Sequence, residues 1–334
     1  LKVEDPADPF AASHLRLVMD YFDADDLPVY AELAREFGIC DSWYTAHAGP
    51  TWPNRFVLLT GDLNLDPFGN VETDNPKITT MPPLQSPTLF DILNEHHTSW
   101  RVFEHGFSFL RLFGNFTFDT DNIVQFDDPV RGFEAAARDG ALPQVTLIEP
   151  DYIDLPPGND DHPPADMKFG QELVNRIVRA LIASPTWART LFIITYDEHG
   201  GFYDHKQPPT DAPPLRGGRT TLGPRVPTFV ISPLMKRGEV FHSRFDHTSI
   251  FATIRRRFAG PRPPSVSPRV DAARDLREVL TLADAPFLRT DFGSLGQPIL
   301  SVTKPALERN ALRNKRPPIG KPDFPEEDFH WFLA

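Results

Sequence analysis

A single cysteine, Cys40, stands in a chain of 334 residues. One thiol cannot close an intrachain disulfide or build a thiolate metal cluster. Its neighbours in Phe37-Gly-Ile-Cys40 are apolar, so burial as a small hydrophobe is expected rather than reactivity. Positive charge is also short. The net charge is −12, which leaves no basic footprint and excludes nucleic acid as the expected partner. No run approaches the roughly 18 apolar residues of a membrane span, so no transmembrane segment is expected. No secretory leader is visible, and a first residue of Leu1 in place of Met leads us to expect that something upstream was removed. Three catalytic signatures are missing. There is no Gly-x-Ser-x-Gly elbow, since Gly293-Ser-Leu-Gly296 has the wrong spacing, so a serine hydrolase is disfavoured. Neither a Gly-x-x-x-x-Gly-Lys phosphate loop nor His-Glu-x-x-His occurs, so nucleotide hydrolase and zincin readings have no support.

Proline, by contrast, is abundant: 36 residues, about twice the usual share. The prolines are spread among hydrophobic runs, which indicates a loop-rich enzyme rather than a disordered chain. Apolar residues make up 40% and charged residues 24%, as in ordinary soluble globular proteins. The length permits one large domain or two smaller ones. No repeat or long linker divides it, so we expect a single α/β domain over 1–285 and an irregular extension over 286–334 packed on it.

The stretch around which the chain is organised is Asp197-Glu-His-Gly-Gly-Phe-Tyr-Asp-His205. It follows Thr190-Leu-Phe-Ile-Ile-Thr-Tyr196, a candidate buried strand. Carboxylates and an imidazole are thereby placed at the C-terminal edge of a sheet, where open α/β sheets bind ligands. Gly200 and Gly201 allow a sharp turn before a second Asp-His pair. Hard oxygen donors beside imidazoles suit a divalent cation, against the plainer reading of a solvated acidic turn. A metal would also let an acidic protein bind an anionic substrate.

Other polar groups fall at comparable places. In Gly49-Pro50-Thr51-Trp-Pro53-Asn54-Arg55, Gly-Pro breaks the chain, Pro53 fits the first turn of a helix and Gly61 ends it. Thr51 is then beside a helix N-terminus, a natural phosphate site. It is either a plain cap or a nucleophile whose attack builds charge toward the orphan N–H groups. His105 ends the predicted strand 100–104 and His162 lies in an acidic, proline-fixed loop after the predicted strand 145–148. Each is either a structural histidine or a catalytic imidazole.

Residues 14–22 could be helical. An apolar face at Tyr30, Leu33, Ala34 and Phe37 predicts a helix opened by Asp25-Asp26-Leu27-Pro28 and ended by Gly38. Helices are also expected from Pro87 to Asn94, from Val130 to Arg138, over 168–184, from Asp246 to Phe258 and over 270–283, with a further strand over 226–232. Strand–helix alternation recurs four times, so the fold class is α/β with a mainly parallel sheet. The polar clusters follow strands or open helices and are expected to converge on one edge.

Gly49-Pro-Thr-Trp-Pro-Asn-Arg55, Thr195-Tyr-Asp-Glu-His-Gly-Gly-Phe-Tyr-Asp-His205 and Asp246-His-Thr-Ser249 together resemble the phosphoesterase family of bacterial and plant non-specific phospholipases C and bacterial acid phosphatases. The likeness runs in order from Asp23 to Phe258. It implies the alkaline-phosphatase-like arrangement, a sheet sandwiched by helices with one active site at its C-terminal edge. It implies hydrolysis of phosphate esters or phospholipids, in which Thr51 attacks phosphorus to form a phospho-threonine. Asp197 and Glu198 would bind one divalent ion, calcium or magnesium for preference, that also touches Thr51. His105 and His162 would hold phosphoryl oxygens or protonate the leaving alcohol, with Asn54, His199, His205 and His247 in support. The resemblance further implies an exported protein, extracellular or periplasmic, with transient membrane-surface contact. One departure stands out. The family's Glu-Asn pair, at the end of its first strand, has no counterpart before Thr51. The expectation is therefore a chain lacking the first strand, and the alternative function is an impaired fragment or relative that only binds an anion or partner.

Overall fold

The computed structural model describes residues 18–19, 21–66, 68–75, 83–152, 158–163, 165–260 and 263–282. Most of the helix expected over 14–22 and the extension expected over 286–334 lie outside these residues.

The first helix, α1, spans Pro28–Glu36 and buries Val29, Tyr30 and Leu33. Its N-cap is Leu27 and carries no side-chain cap. Asp26, one of the two aspartates expected to open it, instead ties the turn before it, where Asp23 and Asp26 accept each other's backbone N–H. Gly38 does not end this helix. It opens strand β1, Gly38–Cys40. A Cβ there would lie 2.7 Å from the Phe241 ring and 2.8 Å from Met235, so only glycine lets the neighbouring chain come this close. Cys40 is buried, as expected.

Strand β2 is Trp43–Tyr44. Helix α2 spans Thr51–Thr60 and ends at Gly61, whose left-handed φ of 79° removes the steric penalty that any other residue would meet. Helix α3, Leu89–Glu95, is closed by a capping box between Thr88 and Asp91. Strand β3, Trp100–Glu104, lies between β4, Ile123–Gln125, and β5, Val145–Glu149, and pairs with both in parallel. Helix α4, Phe133–Arg138, precedes β5.

The long helix α5, Met167–Ala183, is capped by Asp166, which accepts from the Lys168 N–H. It buries Leu173, Ile177 and Leu181 on the face read from the sequence. Each such side chain contributes about 1.5–3 kcal/mol of transfer free energy. Helix α5 leads into β6, Phe192–Thr195, and β7 follows at Thr228–Ile231. All four residues of β7 are buried, which explains its apolar run Phe229-Val-Ile231. Strands β8, Glu239–Phe241, and β9, Phe245–Asp246, precede helix α6, His247–Phe258. The helix expected over 270–283 is two pieces: α7, Pro268–Ala272, and a 3₁₀ turn at Leu276–Val279.

The fold class is α/β. Four strand pairings are parallel: β1 with β8, β2 with β9, and β3 with β4 and β5. Two are antiparallel, both made by β7, with β1 and with β6. The described strands form three sheets, ordered β4-β3-β5, β6-β7-β1-β8 and β2-β9. Strands β5 and β6, joined by α5, each stand at a sheet edge. One apolar core packs α1 and α5 on β6, β7 and β1, and a second packs α2, α3 and α6 against β3 and β5. Among the described residues no helix is long and apolar enough to cross a membrane.

Candidate active site

A cavity of about 1450 Å³ opens beyond the C-terminal ends of β5 and β6. Thr51, His162, Asp197, Glu198 and His199 line it together. Eight aspartate and glutamate side chains line it against two arginines, Arg55 and Arg225.

Thr51 is set by the start of α2. The fully buried Asn54 side chain accepts the His47 N–H at 2.9 Å and donates to the carbonyls of Gly49 and Pro50 at 3.0 and 3.2 Å. It therefore cinches the turn that delivers Thr51, and its support of the site is structural. The helix N-terminus is less open to an anion than its position alone suggests. The Trp52 N–H already donates to Asn75 at 2.9 Å, and Pro53 has none.

Arg55 lies one turn beyond Thr51 on the same helix face. Its Nε donates to Asp197 at 3.0 Å and its Nη1 to Glu149 at 3.2 Å and to the Tyr152 hydroxyl at 2.6 Å. The guanidinium also sits 4.4 Å from the Tyr152 ring centroid. Burial works against its charge, but the Tyr152, Asp197 and Glu149 neighbours outweigh burial and raise its pKa above the ordinary arginine value. Glu149, at the end of β5, accepts in addition from Ser108 Oγ and, at 3.1 Å, from the Phe109 N–H. Arg55 thus joins the ends of the two sheet-edge strands.

The turn after β6 has the geometry its glycines imply. Gly200 and Gly201 both take left-handed backbone, φ 66° and 79°. Asp197 Oδ1 accepts the Glu198 N–H at 3.0 Å, and Glu198 Oε2 accepts the Gly200 N–H at 2.9 Å. His199 Nδ1 lies 3.3 Å from Glu198 Oε2. His247 is buried behind this turn. Its Nδ1 accepts from the Trp43 indole at 3.3 Å, so its Nε2–H donates to the Asp197 carbonyl at 2.9 Å. Burial lowers its pKa. A capping box of Asp246 and Ser249 fixes the helix end that carries it.

Two predicted residues stand elsewhere. His105 is not on the cavity wall. Its ring packs 4.5 Å from that of Phe126, with Asn159 3.4 Å from Nδ1 and Asp127 3.9 Å from Nε2. Burial lowers its pKa. His205 is exposed and 3.8 Å from Asp204, and Asp204 is itself held by Arg225 through contacts of 2.8 and 2.7 Å. The second Asp-His pair therefore locks the loop to the approach to β7 rather than joining Asp197.

Sequence reasoning missed Arg55, Glu149, Tyr152 and the side chains around Asp161. For Arg55 the four-residue spacing from Thr51 was a usable signal. Asp161 takes left-handed backbone, φ 62°, and its Oδ2 accepts from the Tyr30 and Tyr196 hydroxyls at 2.7 and 2.8 Å. Burial pushes its carboxyl up to about 6.

The donor set fits a hard cation in kind. Asp197, Glu198 and the Thr51 hydroxyl offer oxygen ligands, and an acidic cavity needs an added cation before it can hold an anion. The shell is incomplete: among the described residues no group of three or more His, Cys, Asp or Glu side chains converges.

The chain belongs to the phosphoesterase family, whose model matches residues 4–260. It is 35% identical to non-specific phospholipase C5 of Arabidopsis thaliana over 261 residues, 72% of this chain and 49% of that protein. It is 30% identical to phospholipase C A of Mycobacterium tuberculosis over 318 residues, 83% of this chain and 59% of that protein. The chain spans about half the length of the plant relatives it matches. A solved protein of the alkaline phosphatase superfamily from Vibrio parahaemolyticus aligns over 75% of this chain and 63% of that one, at 14% identity and a TM-score of 0.47.

Proposed function

We propose that this chain hydrolyses phosphate esters, in the manner of a phospholipase C, through a phospho-threonine on Thr51. The observation that carries this reading is the shared cavity, where the Thr51 hydroxyl at the start of α2, the Asp197–Glu198 turn and His162 face one volume. Thr51 Oγ1 attacks phosphorus and sheds its proton to solvent, the bond to the leaving alcohol breaks, and His162 gives the departing oxygen its proton. Water then attacks the phospho-threonine, giving its proton back to His162, and the bond to Thr51 Oγ1 breaks as that oxygen takes a proton from solvent. Arg55 holds the Asp197 carboxylate, and His247 holds the Asp197 carbonyl, so the carboxylate pair keeps its orientation. Asp197, Glu198 and Thr51 would hold a divalent ion, calcium or magnesium for preference. Such an ion supplies the positive charge that the acidic wall lacks and lowers the pKa of a bound hydroxyl. We further propose an exported protein that meets its ester at a membrane surface.

The test is turnover of p-nitrophenyl phosphate and p-nitrophenyl phosphorylcholine, with and without a chelator, by the chain and by Thr51→Ala. Chelator-sensitive turnover lost in Thr51→Ala is expected. Turnover that survives in Thr51→Ala would remove the phospho-threonine. The second reading is a protein that binds an anion or partner without turnover. The Arg55 guanidinium that already occupies Asp197 Oδ2 favours it. Phosphate binding with no turnover of either ester would establish it.

A further inference from the structure

Asp161 precedes the proposed acid His162 and is held from two other elements. Tyr30 reaches it from the first turn of α1, and Tyr196 from the position immediately before Asp197. The two hydroxyls also lie 3.0 Å apart, so one carboxylate oxygen and two phenols form a closed triangle. Tyr30 stacks on Phe229 of the buried strand β7, with ring centroids 5.3 Å apart, which fixes one corner. On the other side Asp161 presses on α5, where a Cβ at Gly170 would lie 2.0 Å from Asp161 Oδ1. The same loop meets the carboxylate turn again at Pro163, 3.3 Å from where a Cβ of Gly200 would stand. Left-handed backbone at a non-glycine residue persists only where its surroundings hold it.

We propose that Asp161 is a positioning residue: through the Tyr30–Tyr196 clamp it fixes His162 at a set place relative to the Asp197–Glu198 turn, so that the imidazole meets the departing oxygen of the ester. The inference rests on the reading of His162 as the acid. It explains a left-handed aspartate, one buried and one half-buried phenol and a glycine on α5 as parts of one device. The clamp makes no contact with the ester. It acts only through the histidine beside it.

The test separates leaving groups. p-Nitrophenolate departs with little help from an acid, whereas an alkyl alkoxide requires the proton. Asp161→Gly suits the left-handed backbone and deletes the clamp. Tyr30→Phe with Tyr196→Phe deletes it from the other side. Both variants should lose about tenfold or more in kcat on an alkyl phosphate ester, with less than about threefold on the p-nitrophenyl ester. Asp161→Asn, which accepts the same bonds and tolerates the same backbone, should restore most of the alkyl activity. In a His162→Gln background, Asp161→Gly should add almost nothing, because the two residues act as a unit. Equal losses on both esters, or a full additional loss in the His162→Gln background, would overturn the proposal. If no ester turns over at all, the proposed function fails, and the clamp is then read by NMR. The His162 Hε1 resonance, assigned through its loss in His162→Gln, should shift in Asp161→Gly. A resonance that does not move overturns the clamp independently of activity.

Discussion

Replacement of Arg55 by methionine keeps the length of the side chain and removes the charge that joins Asp197 to Glu149. The side chain is 18% exposed, that of Glu149 4% and that of Asp197 24%. Once the guanidinium is gone, Glu149 keeps the Ser108 and Tyr152 hydroxyls and the Phe109 N–H, but no cation. Breaking a buried pair by removing one partner costs about 3–5 kcal/mol, mostly from the charge left behind. Asp197 is partly solvated and recovers some of its loss in water, so the lower end, about 3 kcal/mol, is expected. For a domain of this size that corresponds to a fall in Tm of roughly 5 °C. Urea unfolding followed by tryptophan fluorescence, beside calorimetry, gives the free energy and the midpoint. Arg55→Lys retains charge without the planar fork that reaches both carboxylates, and should fall between parent and methionine variant. The double variant Arg55→Met with Glu149→Gln removes the stranded charge and should recover at least about 1 kcal/mol relative to Arg55→Met alone. A methionine variant within about 0.5 kcal/mol of the parent, as for an ordinary surface change, would refute the account of Arg55 as the tie between the two strand ends.

Asn54→Ala severs three hydrogen bonds around residues 47–50 at a fully buried site, and should cost about 2–3 kcal/mol in urea unfolding, with Thr51-dependent turnover falling further than stability explains. His205→Ala removes an exposed ring that stands off the cavity wall, and should leave both stability and turnover within about 0.5 kcal/mol of the parent in the same assays. Stability against pH carries two opposed contributions. Burial lowers the pKa of His47 to about 4, so the stability it contributes is present above the unfolded value of 6.5 and lost as the pH falls toward 4. Burial raises Asp161 to about 6, so its contribution is present below the unfolded value of 3.8 and lost as the pH rises through 6. The two offset each other between pH 4 and 6. Asp161→Asn removes one of them, and unfolding free energies measured across that window should then fall on acidification by up to about 3 kcal/mol more than in the parent. An unchanged pH profile would show that Asp161 does not titrate differently in the folded state.

How far the sequence discloses this architecture depends on the length over which each element speaks. Strands β3, β5, β6 and β7 have four or five residues each, and their apolar or β-branched runs mark them, β7 most clearly because all four residues are buried. Strands β1, β2, β4, β8 and β9 have two or three residues, too few to express a period of two, and they exist through partners far along the chain. Gly38 illustrates the consequence. A glycine after an amphipathic helix reads as its stop, whereas the structure uses it to let the ring of Phe241 approach β1. The site divides in the same way. That Thr51, His162, Asp197 and Glu198 line one cavity could be read in advance, because a helix start or a strand end fixes where such a residue stands. A strand end does not fix the direction of a ring, and His105 turned toward Phe126 instead of the cavity. The clamp had no local signature, because Tyr30 and Asp161 are 131 positions apart and meet only when α1 and α5 dock on the same sheet. The residues proposed to carry out chemistry are therefore the more readable ones, since they occupy edges. Those that hold them in place are set by tertiary packing, and their effects should appear first in the orientation of His162 and Asp197 rather than in the presence of either.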